Sequence, residues 1–161
     1  MELIKRDSYL WSYLTDDLRG LIRDGELLLD HARDAVDKTE ISDYSFLVFP
    51  FSKAYEGFLK KFFLDLGLIK EREYKSDEIR VGRILNPNFL KSRGNIFSKI
   101  CGKSKTGESI SHRMWSVWKR GRNLVFHYFP HNFRKLSYDE ALDIIREILD
   151  VMDDTINTYA K

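Results

Sequence analysis

At 161 residues and 19.1 kDa, the chain has the length of one domain and can bury a hydrophobic core without covalent staples. Hydrophobic residues make up 43%, aromatics 14%, and the net charge is only +2, which excludes intrinsic disorder. A single cysteine, Cys101, excludes an internal disulfide framework or a multi-cysteine zinc site and points to a cytoplasmic protein. No apolar run approaches the roughly 20 residues of a spanning helix, so no membrane contact is expected. The opening stretch carries acids among its apolar residues and does not read as a signal peptide.

In chain order, residues 7–37 space Leu14, Leu18, Leu21, Leu28, Ala32 and Val36 as one helix, weakened in the middle by Gly20 and Gly25. Ser42 or Asp43 caps a second helix. Pro50 is awkward inside it, so the helix is expected to restart at Ser52. From there Tyr55, Phe58, Leu59, Phe62, Phe63 and Leu66 form a wide apolar face, ended by Gly67, with Lys60 and Lys61 pointing away. Pro87 opens a short helix around 88–100, and Gly102 ends it. The polar stretch after it lacks the full spacing of a phosphate-binding loop and reads as solvated chain.

A third main helix is expected from Glu108 to His127, with Ile110, Met114, Val117, Trp118, Leu124 and Val125 inward and Pro130 closing it. Ser137 and Glu140 have the spacing of a capping box, and Leu142, Ile145, Leu149, Met152 and Ile156 follow on one stripe. The sum is an all-α domain over 1–161. It reads as an antiparallel bundle of four main helices, with a small helical insert between the second and third.

Charge is segregated along the chain. Residues 80–135 hold 13 Lys/Arg and one acid, Glu108, against 12 Lys/Arg and 17 acids in 1–79 and 2 Lys/Arg and 7 acids in 136–161. His112, His127 and His131 lie in the basic third, with Trp115, Trp118, Tyr128 and Phe129. Cations interleaved with aromatics are the footprint of a nucleic-acid binder. Neutralisation by the acidic flanks is the alternative, although exposed ion pairs give little reason to segregate sign. With Glu108 the only acid, no two-metal carboxylate cluster can form there, so no catalytic metal or cofactor is expected.

Within Arg120-Gly121-Arg122-Asn123-Leu124-Val125-Phe126-His127, polar residues sit among apolar ones. Arg122 and His127 are five apart, about 140° on an ideal helix, so they share no face. They converge only if the helix ends there or a second copy completes the site. The plain alternative is that Arg122 pairs with a carboxylate and His127 caps a helix C-terminus. His31 reads as a surface or core-edge residue. His112 with Glu108 makes a local pair. Trp115 and Trp118 read as core or dimer interface rather than as base-stacking platforms, and Cys101 as a small buried hydrophobe.

Arg122-Asn123-x-x-x-His127 resembles the R-x(4–6)-H motif of the HEPN superfamily of helical ribonucleases, where a polar residue commonly follows the arginine. Phe49 to Gly57 resembles the matching helix of RnlA/LsoA-type toxins, with Lys53 and Glu56 at the spacing of a basic residue and a glutamate that matter there for RNA cleavage. A related HEPN group, the partners of minimal nucleotidyltransferases, reads R-N-x-x-x-H-x-Y, whereas here Phe129 holds the last position. The resemblance covers about 40–161. It implies a metal-independent endoribonuclease of toxin–antitoxin or antiphage-defence type, acting as a homodimer on RNA and restrained by an antitoxin protein.

Under that resemblance His127 serves as acid or base. Arg122 offsets phosphate charge. Glu56 orients Arg122 or acts as base, and Asn123 bonds the sugar or fixes the histidine tautomer. Lys53, Arg120, His131, Lys103 and Lys105 are the candidate RNA contacts. The alternative is a non-catalytic HEPN-like module that binds RNA or a partner protein, and beyond it a purely structural bundle.

Overall fold

A computed structural model describes residues 1–34, 41–89, 95–101, 105–128, 130 and 134–159, with backbone alone at 101 and 105–109. It is all-helical, with no strand among the described residues and no helix among them long and apolar enough to cross a membrane.

The expected first helix is two. Helix α1 (Tyr9–Tyr13) starts at Ser8, whose hydroxyl accepts from the Trp11 N–H at 3.1 Å, and stops at Leu14, which is extended. Arg19 explains the break: its guanidinium donates to the carbonyls of Trp11 and Ser12 at 2.9 and 3.0 Å, satisfying groups that a helix end leaves open. Helix α2 (Asp16–Asp34) follows, with Asp16 and Asp17 in its first turn. Its buried positions are Leu18, Ile22, Gly25, Leu29 and Ala32, spaced by four and three, together with Glu26, which pairs with Arg6. Leu28, expected on this stripe, is exposed, and Val36 lies outside the described residues. Gly25 is a packing position rather than a weak point: a Cβ there would lie 2.4 Å from the Phe51 ring. Gly57 returns the contact, since a Cβ there would lie 2.4 Å from Leu18.

Helix α3 (Ser45–Asp65) runs straight through Pro50, against the expected restart at Ser52. An interior proline costs about 3 kcal/mol. Leu47, Val48, Phe51, Ala54, Phe58, Leu59 and Phe63 are wholly inside, and burying each large apolar side chain contributes about 1.5–3 kcal/mol. That packing outweighs the missing hydrogen bond. Gly67 ends the helix as expected, at φ +66°, while Leu66 is exposed.

The insert holds α4 (Glu71–Tyr74), α5 (Val81–Ile84), a 3-10 turn (Pro87–Phe89) and α6 (Phe97–Cys101). The short helix expected over 88–100 is therefore not continuous. Asparagine side chains compete with it: Asn86 accepts from the Asn88 N–H at 2.9 Å, and Asn95 accepts from the Phe97 N–H at 3.1 Å.

Helix α7 (Lys105–Trp118) begins earlier than expected and gives way to a π-helical turn, Lys119–Asn123. Helix α8 (Tyr138–Tyr159) opens on the expected capping box, with the Ser137 N–H donating to Glu140 at 2.8 Å and the Glu140 N–H to the Ser137 hydroxyl at 3.2 Å. Its stripe of Leu142, Ile145, Leu149, Met152 and Ile156 is buried. Helix α3 packs on α2, on α8 and on the π turn, while α7 packs on α8. Asp43 ties two starts together by accepting from the backbone N–H groups of Ser45 and Leu136, both at 3.0 Å.

Candidate active site

Residues 119–123 depart from α geometry where the polar motif lies. The Leu124 N–H bonds to the Lys119 carbonyl at 3.0 Å, five residues back, which is the π pattern. Single π turns recur at functional sites. The Phe126 N–H then bonds to the Arg122 carbonyl at 3.2 Å, and the chain leaves the helix before His127. The expected extension of the helix to His127 is not formed.

Gly121 is buried between two helices. A Cβ there would lie 2.9 Å from the Ile148 Cδ1 of α8, so only glycine allows this approach unshifted. On the other side, the Ser52 hydroxyl of α3 donates to the Gly121 carbonyl at 2.5 Å. The flanking arginines consequently project to opposite sides. Arg120 pairs with Glu147 of α8, and Arg122 reaches α3, where its Nε donates to Glu56 at 3.2 Å. The Arg122 guanidinium also stands 5.1 Å from the Trp118 ring centroid, a cation–π distance. Trp118 itself is core, as one of its two readings had it, and Trp115 is half-buried.

Arg122 and Glu56 share a cavity of about 310 Å³ with Lys53, Ser52, Phe49 and Phe126. Lys53, one turn before Glu56 on α3, thus joins the pair that the resemblance links it to. Lys60, one turn beyond Glu56, lies 3.8 Å from its carboxylate. The pair is partly solvated, with side chains 44% and 26% exposed for Arg122 and Glu56.

His127 and Asn123 are not among the described residues that line this cavity. His127 is exposed just past the turn, and Asn123 is half-buried at its end. Arg120 instead borders a second cavity of about 390 Å³, which also holds Arg134 and Lys135. Lys103 and His131 lie outside the described residues, and Lys105 opens α7. His31 is exposed, and His112 stands edge-on to Phe97 at 4.9 Å. Among the described residues, no three His, Cys, Asp or Glu side chains gather as a metal-binding group.

Sequence reasoning assigned no role to Ser52, Phe49 or Phe126. The signal for Ser52 was its place, one residue before Lys53 on a face that otherwise reads as apolar. In comparisons with family models, curated proteins and solved structures, no match was found.

Proposed function

We propose that the chain is a metal-independent endoribonuclease of the HEPN type, serving toxin–antitoxin or antiphage defence in the cytoplasm. In this reading α2, α3, α7 and α8 are the four main helices of an antiparallel bundle, and α4 to α6 are the insert. The observation that carries it is the meeting of Glu56 and Arg122, 66 residues apart in sequence and 3.2 Å apart in space, in a cavity that also holds Lys53.

RNA supplies its own nucleophile. The ribose 2′-oxygen attacks the adjacent phosphorus and gives up its proton to a base. The bond to the 5′-oxygen breaks, and that oxygen takes a proton from an acid. Arg122 stands where a fixed cation offsets the charge that builds on the phosphate oxygens. Glu56 holds the guanidinium in place. His127 is the proton carrier. Because His127 stands outside the cavity of its own chain, a homodimer in which the partner copy brings its histidine to Arg122 completes the site. An antitoxin protein covering this face restrains the enzyme.

The purified chain is expected to cut single-stranded RNA in EDTA, leaving 2′,3′-cyclic phosphate and 5′-hydroxyl ends. A strict need for Mg²⁺, or 5′-phosphate products, rules the mechanism out. A second reading, a non-catalytic HEPN-like module that binds RNA or a protein, is favoured by the same separation of His127 from Arg122. Tight RNA binding with no cleavage at any protein concentration selects it.

A further inference from the structure

The cavity over Glu56 and Arg122 joins two chemistries. Lys53 and Arg122 bring two cations against one carboxylate. Opposite in character, Phe49 and Phe126 bring two phenyl rings that remain partly in water, 56% and 39% exposed. Their neighbours behave differently: Val48, Pro50 and Phe51 on α3 are all buried. The two rings meet edge to face, with centroids 5.8 Å apart and planes at 78°. That contact holds the rings against each other without drawing either into the core.

Cations beside exposed π faces match the two halves of a nucleotide, a phosphate and a base. The volume of about 310 Å³ is at the small end of ligand pockets, which run from about 300 to 1,000 Å³. It suits a single nucleotide better than a duplex. Bases become available to aromatic side chains only when they leave the helical stack, as in loops and single strands. Phenyl rings carry no hydrogen-bonding groups, so they stack on any base and favour the larger purines.

We propose that Phe49 and Phe126 form a base-stacking subsite, holding one unpaired nucleotide of RNA whose phosphate lies at Lys53 and Arg122. This rests on the reading of the cavity as an RNA site and adds a source of single-strand selectivity. The competing reading is that the partner copy packs on the two rings themselves and leaves no room for a base.

The test titrates adenosine 3′-monophosphate and inorganic phosphate calorimetrically into the full chain and into Phe49→Leu and Phe126→Leu. Leucine keeps apolar bulk and removes the π face, and both positions are exposed, so the variants are expected to fold. The nucleotide should bind at least about tenfold more tightly than phosphate, the scale of one base–aromatic stack. Each leucine variant should lose about fivefold or more of the nucleotide affinity and keep that for phosphate. Equal binding of nucleotide and phosphate overturns the subsite. So do leucine variants that bind the nucleotide as the parent does, or that change only the oligomeric state in light scattering. A chain that binds the nucleotide through these rings yet leaves RNA intact supports the subsite and defeats the cleavage reading. Cleavage whose KM is unchanged in both leucine variants defeats the subsite alone.

Discussion

The Ser52 hydroxyl donates to the Gly121 carbonyl at 2.5 Å, a buried contact between residues 69 positions apart. It fixes the π turn to α3 directly beside Arg122. A π turn is rare and occurs mostly as a single turn within an α-helix. Here Ser52 holds one side, and the side-chain-free face of Gly121 fits against Ile148 and Ile144 on the other.

Ser52→Ala should therefore do two things. It leaves a buried carbonyl without its partner, at a cost of about 1–3 kcal/mol in urea denaturation. It also frees Arg122 to drift from Glu56, so kcat should fall by about tenfold or more with KM little changed, since a small misplacement at a reacting centre weakens the transition state most. Ser52→Thr keeps the hydroxyl and should recover part of the rate. A stable Ser52→Ala protein with the parent kcat would show that the hydrogen bond serves packing alone.

Two kinds of information were legible in the sequence to different degrees. The capping box at Ser137 and Glu140 and the stripe of α8 were plain, because they depend on neighbours three and four residues apart. The stripe of α2 was not. Gly25 occupies a core position there, and hydrophobic periodicity passes over glycine, which shifted the expected face onto Leu21 and Leu28. Pro50 misled for a related reason: the local penalty was visible, while the burial that outweighs it depends on distant chain. At the candidate site, Arg122, Glu56 and Lys53 could be named from the motif, and they share a cavity. The π turn and the Ser52 contact were hidden, because both arise where α3 and α8 close on Gly121.

Gly25→Ala tests the packing of α2 on α3. The new methyl would lie 2.4 Å from a carbon of the Phe51 ring, which is itself wholly buried. The helix propensity of alanine favours the substitution by about 1 kcal/mol. Overpacking of a closed core opposes it by about 1–3 kcal/mol. With an aromatic ring unable to swing aside, overpacking should win, for a net loss of up to about 2 kcal/mol, read as a lower urea midpoint. Gly20→Ala is the control: a Cβ there meets nothing within 4 Å, so only the propensity gain should appear.

Acid should weaken the link between the starts of α3 and α8. Burial alone would push the Asp43 carboxyl up, but hydrogen bonds from the Ser45 hydroxyl and from the N–H groups of Leu136 and Ser45 hold it below the ordinary aspartate value. A carboxyl lowered on folding binds its proton more readily in the unfolded chain. Its contribution is complete above about pH 5, where the unfolded chain has lost that proton. It disappears as the pH falls through the lower folded value. Asp43→Asn keeps the Oδ1 acceptor and removes the charge, so it should cost about 1 kcal/mol at pH 7, the difference between hydrogen bonds to a charged and to a neutral acceptor. The gap in urea midpoint between variant and parent should narrow as the pH falls below the ordinary aspartate value, about 4. A constant gap over that range would mean that Asp43 is not the titrating group.

Substitutions at the three motif residues separate binding from chemistry. His127→Ala should abolish cleavage and leave RNA affinity within a few-fold, because a proton carrier acts on the reacting oxygens and adds little to binding. Arg122→Ala should lose cleavage and part of the affinity, since a fixed cation aimed at phosphate acts before and during the reaction. Glu56→Gln should slow cleavage with binding unchanged or tighter, as one negative charge leaves the cavity. The stability control is favourable: with Arg122 and Glu56 partly in water, parting them should cost about 1 kcal/mol or less, against about 3–5 for a buried pair. Loss of rate in these variants is thus separable from loss of fold by thermal melting. Mixing His127→Ala with Arg122→Ala chains adds the decisive arm. If the histidine is supplied by the partner copy, mixed dimers hold one intact pair and should regain up to about half of the activity per dimer, as expected of a two-fold assembly with two equal sites. Mixtures that stay inactive while exchanging subunits would place both residues of each working site on one chain.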